Sequence, residues 1–183
     1  RVAVVGAEST GKTTLCLRLA EIYGTRFVPE HARALAEARG GILDEDAIEL
    51  AARGQIAAED ALARHAHRVL FCDTELSTVK LWSERMFGSA PAGLDALNAA
   101  RPYDLTLVLR ADVPFVGSPA RDEPAERAAL DARVVAAHAP GASVVELRGT
   151  WEQRLIGARS AVDRLLQQGD LLSARGRQWA LDA

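Results

Sequence analysis

Short apolar runs alternate along this chain with longer segments whose apolar residues recur every three or four positions. Residues 2–5 form a continuous apolar run, mostly β-branched, the pattern of a strand buried on both faces. Similar runs lie at 69–72, Leu105–Leu109 and 143–147, with a shorter one at Arg26–Val28. Between them the spacing predicts helices. Leu15, Leu19 and Ile22 share one face of Lys12–Tyr23, and stretches rich in Ala, Leu, Glu and Arg over 30–39, 44–66, 75–87, 121–138 and 151–168 favour helix. Strands joined by helices require crossovers, so the pattern predicts an α/β fold: a parallel sheet of about five strands with helices on both faces. Gly40-Gly41 ends one helix and Asp44 caps the next. Residues 88–93 read as a loop, and 112–124, with three prolines and a glycine, as an exposed loop feeding a helix.

With 183 residues the chain makes one domain, taken here as 1–168, followed by a polar tail over 169–183. Hydrophobic residues make up 49% and charged ones 26%, which excludes a disordered chain. No apolar run approaches the roughly 20 residues of a membrane helix. The formal charge of −3 argues against a dedicated nucleic-acid binder, whose surface carries a basic excess. Cys16 and Cys72 lie in apolar stretches, away from any second Cys or His at ligand spacing. They read as buried free thiols, in keeping with the cytoplasm. The chain opens on Arg1 at the edge of the first strand, without an initiator Met, so a trimmed leader or an upstream domain is an expectation.

The chemistry begins at Gly6-Ala7-Glu8-Ser9-Thr10-Gly11-Lys12-Thr13, which satisfies G-x-x-x-x-G-K-[ST]. Glycines at the two ends let the backbone wrap closely, so that successive amides face the β- and γ-phosphates of a nucleotide. The helix that starts at Lys12 adds its positive end, Lys12 adds a compact charge, and the Thr13 hydroxyl is a Mg²⁺ ligand. The motif lies between a buried strand and an amphipathic helix, the context that gives it meaning. Asp73 ends another buried strand, where a carboxylate can hold Mg²⁺; its bland reading is a helix cap.

Base-reading motifs of the N-K-x-D type are absent, since the only lysines are Lys12 and Lys80. An acidic pair directly after the strand at 69–72 is missing too, because Asp73 is followed by Thr74 and only then Glu75. The loop and helix over about 112–138 instead carry Arg121, Arg127 and Arg133, where a lid of a small-molecule kinase would place charge over a transferring phosphoryl group. Glu30 follows a short strand and is placed to accept the proton of an attacking hydroxyl, with Arg33 one turn away. Gln55 and Glu59, at i and i+4 on a helix, are weaker candidates for an acceptor pocket, with solvent exposure as the default.

The string from Val5 to Leu15 resembles the phosphate loop of the nicotinamide riboside kinase domain in NadR-type bacterial NAD-biosynthesis proteins, and of related AAA-family ATP-binding proteins. The likeness continues at Glu30 with Arg33, at Gly54-Gln55, at Phe71-Cys72-Asp73-Thr74-Glu75 with Thr78, at Pro114-Phe115-Val116 with Arg121, and at Gly149-Thr150-Trp151 with Arg154. It spans about 2–166. The resemblance implies a P-loop three-layer sandwich with a helical lid, and ATP- and Mg²⁺-dependent phosphorylation of the 5′-hydroxyl of nicotinamide riboside. It implies that residues 6–14 and Arg154 hold ATP, including Ala7, Glu8, Ser9, Thr10 and Thr14. Glu30, Arg33, Gln55, Asp73 and Thr74 would face the acceptor, with Phe115 beside its base, while Arg121 and Arg127 close over the phosphates. One departure stands out: Ser118-Pro119 replaces the usual Asp-Gly, removing a carboxylate and stiffening the turn. The competing expectations are a regulatory ATPase without riboside kinase activity and a kinase for another nucleoside.

Overall fold

Successive residues of the first strand point to opposite faces, and that alternation builds two cores at once. The computed structural model describes residues 1–41, 44–115, 124–138, 141 and 143–181. Its five strands are β1 (Val2–Gly6), β2 (Arg26–Val28), β3 (Leu70–Asp73), β4 (Leu105–Leu109) and β5 (Val144–Leu147), all parallel in the order β2-β3-β1-β4-β5. Val2 and Val4 face α1 (Lys12–Tyr23) and α7 (Trp151–Leu181), packing with Leu15, Leu19, Ala158 and Val162. Ala3 and Val5 face the other way, against Leu81 of α4 (Leu76–Phe87) and Leu130 and Val134 of α6 (Pro124–Ala137). The three-layer α/β arrangement follows from a central strand that is apolar on both sides.

The remaining helices build the flank beyond β3. They are α2 (His31–Ala38), α3 (Glu45–Ala63) and the short α5 (Leu94–Ala99). Helix α2 ends as Gly40-Gly41 predicts: both glycines have positive φ, and the amide of Gly41 reaches back to the carbonyl of Ala36 at 2.7 Å. Asp44 caps α3 by accepting from the amide of Ala47 at 2.8 Å. Helix α2 crosses α3 closely at Gly54, where an added Cβ would lie 2.1 Å from the His31 ring.

Several elements depart from the sequence pattern, and α3 ends at Ala63 instead of 66. Helix α5 was not expected, since six residues are too few to display a period. Strand β3 includes Asp73. Helix α7 runs to Leu181, past the end expected at 168. Among the described residues no helix is long and apolar enough to cross a membrane. Cys16 and Cys72 are free and buried, and burial pushes both thiols well above the ordinary range.

Helices α4 and α6 are joined by a buried ion pair. Glu75 caps α4, accepting from the amides of Ser77 and Thr78 and from the Ser77 hydroxyl. His138, just beyond α6, places Nδ1 2.8 Å from the carbonyl of Val134 and Nε2 3.3 Å from Glu75 Oε1. Nε2 also lies 3.2 Å from the Ser77 hydroxyl, so the ring joins both groups that hold the start of α4. Burial works against the charged ring, but the bonds to Glu75 and Val134 outweigh it and raise the His138 pKa above 6.5. Burial likewise opposes the Glu75 carboxylate, yet its bonds from His138 and Ser77 hold its pKa below 4.5. The His138 contribution is complete below the unfolded histidine pKa and is lost as pH rises through the raised folded value. The Glu75 contribution is present above the unfolded carboxylate pKa and is lost as pH falls through the depressed one. His138→Phe should therefore lower the melting temperature most at about pH 5–6, with the deficit shrinking in alkali. A deficit independent of pH in thermal scans would show that the ring only fills space.

Candidate functional site

The turn between β1 and α1 is shaped by the cations behind it. The Ala7 carbonyl accepts from the Thr10 hydroxyl at 2.8 Å and from Lys12 Nζ at 3.1 Å. Arg127 donates to the carbonyls of Glu8 at 3.0 Å and Ser9 at 3.4 Å, and Arg154 donates to that of Thr10 at 3.1 Å. In a trans peptide the C=O and the following N–H point in opposite directions. The Glu8, Ser9 and Thr10 carbonyls, drawn to the two arginines, therefore turn the amides of residues 9–11 the other way, the arrangement of an anion-binding nest. Backbone geometry agrees. Ser9 has φ 54° and Gly11 φ 88°. A Cβ on Gly6 would come within 2.4 Å of the Leu109 carbonyl, so only glycine fits there.

Parallel pairing sets Asp73 opposite Val4, at the carboxyl end of the sheet beside this turn. The Thr13 hydroxyl donates to Asp73 Oδ2 at 2.5 Å, while the buried Oδ1 has no hydrogen-bond partner among the described residues. Burial raises the Asp73 pKa above 3.8 and the nearby Glu30 carboxylate adds to it, against the Thr13 bond and the Lys12 charge. The cap reading of Asp73 fails, because Glu75 caps α4. A hydroxyl and a carboxylate with a spare buried oxygen suit a hard cation whose other ligands come from phosphate and water. Among the described residues no cluster of three His, Cys, Asp or Glu could hold a metal by itself. Thr74, next in line, adopts φ 74°, strained for a β-branched residue, and its buried hydroxyl also lacks a partner.

A cavity of about 300 Å³ opens beside the turn. Its near end is polar, with Glu8, Thr74, Glu30 and Arg33, the last two paired at 2.8 Å. Its far wall is Ile48 of α3 with Val79, Trp82 and Met86 of α4. Nest, carboxylates and cavity together can hold a polyanion and place a hydroxyl-bearing molecule next to it.

Several expected site residues lie elsewhere. Gln55 is buried and lines no part of the cavity: its side-chain oxygen accepts from the His31 amide at 3.1 Å and so ties down the start of α2. Glu59 is buried too, bonded to the Tyr103 hydroxyl at 2.6 Å, so the exposed reading of this pair does not hold. Phe115 sits 5.5 Å from the Arg127 guanidinium and not on the cavity wall. Arg127 grips loop carbonyls, including that of Val113, instead of standing over the phosphate side. Arg154, 1% exposed, binds the carbonyls of Gly149, Thr10 and Arg110, with Asp112 as counter-ion. Thr14 is exposed on α1. Arg121, Val116 and Ser118-Pro119 lie outside the described residues. Sequence reasoning passed over the cavity wall, although Val79, Trp82 and Met86 fall at i, i+3 and i+7 on one helix face. It also passed over Trp151 as a packing partner of the turn: its ring would meet a Cβ on Gly11 at 3.2 Å.

Residues 1–154 match the family described as an AAA domain. Curated relatives include the trifunctional NAD biosynthesis/regulator protein NadR of Escherichia coli (strain K12) and that of Salmonella typhimurium. Each is 31% identical over 121 residues, covering 63% of this chain and 29% of the relative. The chain thus spans less than a third of the length of these proteins. A NadR protein solved in complex with NR superposes with a TM-score of 0.70 at 25% identity, over 91% of this chain and 49% of that one. Thymidylate kinase from Candida albicans shares the fold, with a TM-score of 0.57 at 13% identity over 92% of this chain and 91% of that one.

The cationic backing of the turn is open to direct test. Arg154→Ala strands three carbonyls in the interior and should cost about 3 kcal/mol in urea unfolding. Arg154→Lys should recover little of it, since an ammonium cannot span the three acceptors that a guanidinium fork reaches. Near wild-type stability in the Lys variant would mean that one contact, not the fork, matters.

Proposed function

The chain belongs to the AAA domain family, and on that footing we propose that it is an ATP- and Mg²⁺-dependent nucleoside kinase, acting on the 5′-hydroxyl of nicotinamide riboside to yield nicotinamide mononucleotide. The observation that carries this reading is the adjacency of the amide nest to a cavity whose near end holds Glu30 and Thr74. Similarity to NadR proteins, one of them solved with NR, supports the choice of acceptor.

In this reading the amides of residues 9–11 cradle the triphosphate and Lys12 neutralises its β- and γ-oxygens. Thr13 and Asp73 would hold Mg²⁺, which neutralises charge on the β- and γ-phosphates when bound. The Thr74 hydroxyl and the Glu30 carboxylate orient the acceptor's 5′-hydroxyl. Glu30 takes its proton as the new O–P bond forms and the bond to the β-phosphate oxygen breaks, leaving ADP. Arg33, paired with Glu30, keeps that carboxylate aimed. Arg127 and Arg154 serve the same reaction from behind, by holding the nest in shape. Two buried free cysteines suit a reducing compartment, and we place the kinase in the cytoplasm.

Mass spectrometry of a ribonucleoside panel with ATP·Mg²⁺ should show nicotinamide riboside gaining one phosphate. Lys12→Ala and Asp73→Asn should each lower that rate by about two orders of magnitude or more. ATP consumption that is independent of any acceptor would instead favour a regulatory ATPase.

A further inference from the structure

Glu30 stands at the head of α2, a helix that buries none of its own residues fully, so packing alone does not fix where the carboxylate points. The peptide between Glu30 and His31 is planar, and whatever holds its N–H also holds the Cα of Glu30. That N–H donates to the Gln55 side-chain oxygen at 3.1 Å. Gln55 in turn donates from Nε2 to Glu59 Oε1 at 3.4 Å, and the same oxygen accepts from the Tyr103 hydroxyl at 2.6 Å. Glu59 Oε2 is paired with Arg1 at 3.2 Å. A backbone N–H only donates and a carboxylate paired with a guanidinium only accepts, so both neighbours demand the same orientation of the Gln55 amide. Gln55 is 3% and Glu59 1% exposed, which leaves neither the option of turning to water. Both lie off the cavity lining.

We propose, resting on the nucleoside kinase reading above, that Gln55 and Glu59 are positioning residues for Glu30. Glu59, with Tyr103 behind it, orients the Gln55 amide; Gln55 holds the Glu30–His31 peptide; and the carboxylate that takes the acceptor's proton is thereby set against the phosphate turn. Neither residue touches the acceptor. A relay of this kind acts on the rate of the chemical step, because a displacement of about 1 Å at a reacting group can cost about a hundredfold. The nucleotide side is held by other groups, Lys12, Arg127 and Arg154, and does not share the relay.

Steady-state kinetics of the full chain with nicotinamide riboside and ATP·Mg²⁺ test this. Gln55→Glu keeps an oxygen for the His31 N–H but sets a carboxylate against Glu59. It should lower kcat about tenfold or more, with the KM for ATP within about twofold of wild type. Adding Glu59→Gln exchanges the two groups: the amide now donates from position 59 to the carboxylate at 55, whose other oxygen still accepts from His31, and the Tyr103 hydroxyl accepts in place of donating. The exchanged pair should recover kcat to within about threefold of wild type. In a Glu30→Ala background Gln55→Glu should lower kcat no further, since its effect passes through Glu30. Thermal scans separate loss of rate from loss of fold. Tyr103→Phe, which buries no new charge, should show the same split at about threefold if Gln55→Glu does not fold. Wild-type kcat in the folded single variants, a loss that the exchange does not recover, or an equal loss without Glu30 overturns the positioning role and leaves the kinase reading intact. A rise confined to the KM for nicotinamide riboside overturns it too, by placing Gln55 in contact with the acceptor. If the wild type phosphorylates no riboside, the kinase reading falls and the positioning role falls with it.

Discussion

The structure turns on holding one short stretch of backbone with all its carbonyls facing the same way. Left to itself, a run of three peptides would not keep this alignment, because parallel dipoles repel and the carbonyls would lie in the interior without donors. Arg127 and Arg154 resolve both problems by giving each carbonyl from Glu8 to Thr10 a side-chain donor. The two cations come from α6 and α7, so the shape of the turn is a property of the whole sandwich.

The sheet supplies the second constraint. Five parallel strands bring their carboxyl ends to one edge, and register alone puts Asp73 of β3 next to the end of β1. Helix α1 leaves that edge with Thr13 in its first turn, within hydrogen-bond reach of Asp73. The strained backbone of Thr74 belongs to the same corner. Glu75 takes over the capping of α4 and binds His138, which leaves Asp73 available for the site. A local rule is broken at Thr74 and the break is supported by a buried ion pair one residue away, as strained functional corners require.

The polar side of the cavity, with Glu30 and Arg33, depends on a helix that is itself only partly buried. Helix α2 buries none of its residues fully. It is fixed by Gln55, which caps its start, and by the close crossing at Gly54. Buried polar groups on α3 therefore act at a distance from the cavity: they set the angle at which α2 presents Glu30 and Arg33. Electrostatics at the site follows from the same layout, with the Glu30 carboxylate close enough to Asp73 to disfavour the Asp73 charge.

By itself the sequence determined the strand order, every helix but α5, and the glycine-bounded turn, because these are local: hydrophobic period reports which face is buried, and glycine with lysine at fixed spacing reports a backbone shape. It also determined that Asp44 caps and that Gly40-Gly41 terminate, each within one turn of the residue concerned. Tertiary structure alone decided what the arginines do, since a guanidinium reads the same in sequence whether it faces phosphate or a buried carbonyl. Arg127 and Arg154 reach partners 119 and 144 residues away, and no spacing rule covers such distances. Packing likewise decided that Gln55 and Glu59 lie buried, because amides and carboxylates are hidden only where a distant partner satisfies them.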